Sequence, residues 1–139
     1  MATNKDLEFW FPNIIGKSYK ISVSTWDFNC VAFTLGIYDD YVWNTEKSWP
    51  SSVPRDLKIE NFRKLYEFYG YKECVDFSYE KNYEKIAFYA KNNQPLHAAK
   101  QFNDIWKSKI SNLIVEHELK WLCGNTTDAY GDIVFIMKK

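Results

Sequence analysis

Two stretches, 96–102 and 105–111, flank the dipeptide Asn103-Asp104, and this pattern constrains the fold more than any other in the chain. Both turn residues tolerate positive φ, so the pattern predicts a two-residue β-hairpin. A hairpin sets register: Phe102 faces Ile105, Gln101 faces Trp106, Ala99 faces Ser108 and His97 faces Ile110. His97, Ala99, Gln101, Trp106 and Ser108 then share one face, and a slip of one residue would turn every one of them over.

The remaining elements suit a sheet with helices ahead of it. Residues 19–24 alternate as a half-buried strand does, and from Asn29 a short helix is expected, with Asn29 as N-cap and Gly36 as its stop. Ile59, Phe62, Leu65, Tyr66 and Tyr69 recur at spacings of three and four before Gly70, which predicts a helix over 58–69. Residues 71–76 and 85–90 read as strands, 118–123 as a short helix and 132–137 as a closing strand, whereas 39–55, with Trp43, Trp49, Pro50 and Pro54, reads as a long loop. The expected class is α+β, with N-terminal helices packed on an antiparallel sheet. A length of 139 residues and 46 % hydrophobic composition fit one domain over 1–139.

Several functions are excluded. Lys plus Arg and Asp plus Glu both total 18, so no broad basic field exists to attract nucleic acid. No apolar run approaches the roughly 18 residues that cross a bilayer, and no phosphate loop, dinucleotide fingerprint or paired Cys motif occurs, so no membrane, cofactor or metal role is expected. Cys74, Cys123, His97 and His117 are the four residues from which a zinc site would have to be assembled, without the paired spacing such sites usually show. Three widely spaced cysteines and a polar start without a secretory signal suit a reducing compartment, and the cytoplasm is the expected location.

Cys30 and His97 carry the sharpest chemistry. At the start of the expected helix Cys30 would meet free N–H groups, yet a helix terminus supplies only about 0.3–1 kcal/mol of the roughly 6 kcal/mol needed to bring a thiol from about 8.5 to about 4. His97 would have to supply the rest as an imidazolium, with Ser108 or Gln101 orienting it and Asn29 as an oxyanion donor. His117 ranks second as a base. The inert alternative is a core cysteine among Val31, Ala32 and Phe33 and a satisfied core histidine. Trp43, Trp49 and Trp106 either bind substrate or cover the core, while Cys74 and Cys123 read as structural.

Asn-Cys-Val-Ala-Phe at 29–33, Trp49-Pro50, Gly70-Tyr71, His97-Ala-Ala-Lys-Gln to 101, Trp106-Lys-Ser-Lys to 109, Ile114-Val-Glu-His to 117 and Tyr130-Gly131 occur in that order. The chain resembles an uncharacterised bacterial domain family with an NCxAW motif, then HAARQ, then Trp-x-Ser-Lys-x-Gly; Ser111 stands where that family tends to have Gly. A looser similarity is to papain-like and NlpC-like cysteine hydrolases, in which Cys at a helix start precedes a His on an antiparallel sheet. That resemblance implies a thiol hydrolase or acyl-transfer enzyme acting on amide bonds of a protein or peptide, with Cys30 as nucleophile and His97 as base. No Asn-Ser-Trp segment follows His97, and the oxyanion Gln of papain-like enzymes has no equivalent. The alternative is a non-catalytic protein-binding or immunity-type protein on the same scaffold.

Overall fold

The computed structural model describes residues 2–23 and 25–139, Val23 by its backbone alone. Mixed helix and sheet are arranged around seven antiparallel strands. In chain order the elements are α1 (Asn4–Trp10), a 3-10 turn (Pro12–Ile14), β1 (Ile21–Val23), α2 (Cys30–Thr34), α3 (Ile59–Phe68), β2 (Lys72–Cys74), β3 (Lys85–Lys91), β4 (Gln94–Phe102), β5 (Ile105–Ile110), β6 (Leu113–His117), a second 3-10 turn (Leu119–Leu122) and β7 (Asp132–Lys138). The spatial order is β1-β6-β5-β4-β3-β7-β2. Thus β1, the first strand in sequence, closes one edge and β2 the other. The strand expected over 19–24 is shorter than expected, and Ser24 lies outside the described residues.

Both faces of the sheet are covered. Residues 85–90 of β3 are buried without interruption, as a strand with packing on two sides requires. Alternation sends Ile86, Phe88 and Ala98 to one face, where they meet Val31 of α2 and Phe62 and Tyr66 of α3. Ala87, Tyr89, Ala99 and Trp106 go to the other, against Leu7, Phe11 and the second 3-10 turn. Helix α3 forms because its apolar residues fall on one stripe, with Phe62 packing on Trp43, Trp49 and Phe88 at ring separations of 4.6, 5.1 and 4.9 Å. Each buried ring of this size contributes about 1.5–3 kcal/mol relative to exposure. Helix α1, absent from the expected elements, is started by a capping box in which Thr3 and Asp6 satisfy each other's backbone N–H.

The β4–β5 hairpin has the expected register, with Gln101 opposite Trp106 and Phe102 opposite Ile105 around Asn103 at φ 57°. That ladder ends at Lys100 and Lys107, however. Beyond it β5 pairs only with β6, and α2 packs against both β4 and β5. Ser111, at φ 55°, makes the turn from β5 to β6 in a backbone conformation that favours Gly. Among the described residues no helix is long and apolar enough to cross a membrane.

Gly131 leads into β7 at φ 73°, and a Cβ there would lie under 3 Å from the backbone of Ala90 and Lys91. Gly16, at φ 79°, has nothing within 4 Å of that position. Gly131→Ala should therefore cost about 3 kcal/mol through clash plus left-handed strain, and Gly16→Ala about 1 kcal/mol through strain alone, as read by urea denaturation. Equal losses would show that the β3–β7 approach is looser than described.

Candidate functional site

Asn29 caps α2 as expected. Its Oδ1 accepts from the N–H groups of Ala32 at 3.1 Å and Val42 at 3.0 Å, and its Nδ2 donates to the Val42 carbonyl at 2.8 Å. The amide thereby ties the helix start to the loop that follows. Cys30 opens the helix, partly buried, beside the backbone of Ala98. Burial pushes its thiol pKa up, and the Lys109 ammonium, which pulls the other way, is the smaller influence.

His97 stands on β4 next to Ala98 and so projects from the opposite side of the strand. Its partner there is Tyr89 across the ladder, and its ring stacks on Tyr130 at 4.2 Å and 16°. Among the described residues no group bonds Nε2. Burial holds the imidazole pKa well below 6.5, so the ring is neutral at pH 7 and supplies no cation. The arrangement thus shows neither the hydrogen bond nor the imidazolium that a Cys30–His97 dyad needs.

Ser108 shares the face of His97, but its partner is His117. Their Oγ and Nε2 atoms lie 2.6 Å apart, because the β5–β6 register sets Trp106 opposite His117 and Ser108 opposite Val115, which makes Ser108 and His117 diagonal neighbours on one face. His117 Nδ1 is 2.9 Å from the Glu118 carbonyl, which can only accept; Nδ1 therefore carries the proton and Nε2 accepts from Ser108. Burial lowers the His117 pKa to about 4.

Trp49 is core, with Nε1 donating to the Val53 carbonyl at 3.0 Å, and Trp43 packs beside it on Phe62. Neither lines the groove beside Trp106. That groove, of about 690 Å³, opens where the loop after β2, the β4–β5 turn and the 3-10 turn after β6 converge, and Tyr19, Gln101, Trp106, His117 and Trp121 line it. Phe77, Tyr79 and Ile105, exposed by 53, 48 and 43 %, form its mouth. Three ties hold the loop. The buried Lys85 donates to the carbonyls of Asp76 at 2.7 Å and Ser78 at 2.8 Å, Lys138 pairs with Glu80 at 3.1 Å, and Gln101 Nε2 donates to the Phe77 carbonyl at 3.0 Å. Sequence reasoning missed this wall, although Phe77-Ser-Tyr79 between polar residues was a visible signal of exposed aromatics. Among the described residues no three His, Cys, Asp or Glu side chains group as metal ligands, so Cys74, Cys123, His97 and His117 do not converge.

A folded-state pKa of about 4 for His117 sets a pH dependence. Below pH 6.5 the unfolded chain takes up a proton that the folded state refuses, so stability is constant above that pH and is lost as pH falls toward 4. His97 contributes with the same sign. Carboxylates titrate in the same range, so the readout is a comparison: His117→Gln should reduce the loss between pH 7 and 4.5 by about 2.5 kcal/mol in urea titrations. An unchanged loss would mean that His117 is solvated and titrates normally.

No curated protein and no solved structure matches the chain. A family model described as Domain of unknown function (DUF7689) matches residues 19–138. Among the described elements the matched span holds every strand of the sheet, α2, α3 and all residues of the groove but Ser18, leaving α1 and the first 3-10 turn outside. The chain therefore belongs to the DUF7689 family.

Proposed function

We propose that the protein is a non-catalytic protein-binding module of papain-like layout, with its working surface in the groove between the 75–84 loop and the β4–β5 turn. The observation that carries this reading is the ring of exposed apolar side chains, Phe77, Tyr79 and Ile105, around a mouth whose walls are tied down by Lys85 and Gln101. Rigid aromatic anchors bind with little loss of side-chain entropy, and clustered exposed aromatics mark interaction sites. A volume of about 690 Å³ suits one or two side chains of a partner.

The second reading, a thiol hydrolase or acyl-transfer enzyme, has Cys30 at the start of α2 against an antiparallel strand in its favour. It requires His97 to turn through β4 toward the thiol and to carry a proton that its burial disfavours.

A random peptide display library panned on the immobilised protein separates these readings from silence. Peptides should be enriched that bind wild type and lose tenfold or more on Ile105→Arg, with no loss on Trp26→Ala, a substitution of an exposed residue outside the groove. If no peptide is enriched, or the enriched ones ignore Ile105→Arg, the groove is not the binding surface.

A further inference from the structure

Resting on the groove as the binding surface, we propose that it reads a neutral amide of its partner, the N–H of an uncharged peptide segment carrying an apolar side chain. The observation is Gln101. Its side chain is 6 % exposed, lines the groove, and is held by donation of Nε2 to the Phe77 carbonyl at 3.0 Å. That bond fixes which end of the carboxamide is which and leaves Oε1 closed to solvent and without a donor among the described residues, on a side chain that lines the groove. A buried acceptor left unmet is costly, so the site is set for a ligand that donates.

A second group narrows the class. Tyr19 lines the same groove, and its hydroxyl is closed to solvent and has no partner among the described residues. A hydroxyl supplies the donor that a carbonyl needs, so Gln101 and Tyr19 together offer one acceptor and one donor, the complement of an amide. The charged residues of the groove, Asp104, Glu116 and Glu118 against Lys20 and Lys120, nearly balance, so no strong field favours an ion. Trp106 and Trp121 supply flat apolar faces for the side chain beside the amide.

The test uses two near-isosteric probes on 15N-labelled full-length protein: 3-phenylpropanamide, and methyl 3-phenylpropanoate, which has no N–H. The Trp106 and Trp121 indole N–H signals report occupancy. The amide should shift them and bind about three- to tenfold more tightly than the ester, the range for one net hydrogen bond. Gln101→Met should bind both probes with the affinity of the ester. Tyr19→Phe should weaken both by the same factor, since both probes carry a carbonyl; a selective loss of the amide alone would overturn the assignment of the donor to Tyr19. Equal affinity of the two probes for wild type would overturn the amide inference while leaving the groove as a binding surface. If neither probe moves either indole signal, both the amide inference and the groove reading fall.

Discussion

The β3–β4 pair, buried on both faces, is the constraint on which the rest of the structure depends. Because residues 85–90 and 97–101 leave no side chain in solvent, each face must be covered separately. Helices α2 and α3 cover one, and α1 with the two 3-10 turns covers the other. Consecutive residues of β4 are thereby committed to different environments: Ala98 to the core that holds Cys30, and His97 to the core that holds Tyr130. The separation of the two residues follows from strand alternation rather than from any detail of side-chain conformation.

Burial then decides the chemistry. It raises the thiol pKa of Cys30 and lowers the pKa of both histidines, so all three groups are held neutral at pH 7. The Ser108–His117 bond reads as structural on the same ground: Ser108 is fully buried behind His117 and does not line the groove. Polar groups that tie the groove wall behave differently. Gln101 and Lys85 spend their donors on the backbone of the 75–84 loop, which stiffens the wall and leaves one acceptor open. A surface of that kind is suited to recognition more than to bond cleavage.

What the sequence makes legible is what local chemistry determines. Asn103-Asp104 sets the hairpin register, and the apolar stripe of α3 appears because its period is internal to the segment. Helix α1 escapes notice because a seven-residue helix with one fully buried residue gains its stability from the far side of the sheet, where Leu7 and Phe11 meet Leu119 and Leu122. The partner of Ser108 is likewise invisible. The hairpin register places it diagonally from His97, and only the pairing of β5 with β6, which the hairpin pattern does not specify, sets it diagonally from His117. Trp43 and Trp49 allow both readings in sequence; in the fold Trp49 is buried on Phe62 and Trp43 packs half-buried beside it. The groove is the least legible part, since its residues come from five separate segments of the chain.

The most direct test of the account is the protonation state of Cys30 in the folded protein, followed by the 13Cβ chemical shift of labelled cysteine from pH 5 to 9. The account predicts a thiol at pH 7 that begins to titrate only above the ordinary range near 8.5, unchanged by His97→Ala. A shift that titrates below pH 7 in wild type and moves up in His97→Ala would contradict it, because it would place a thiolate and an imidazolium together across β4.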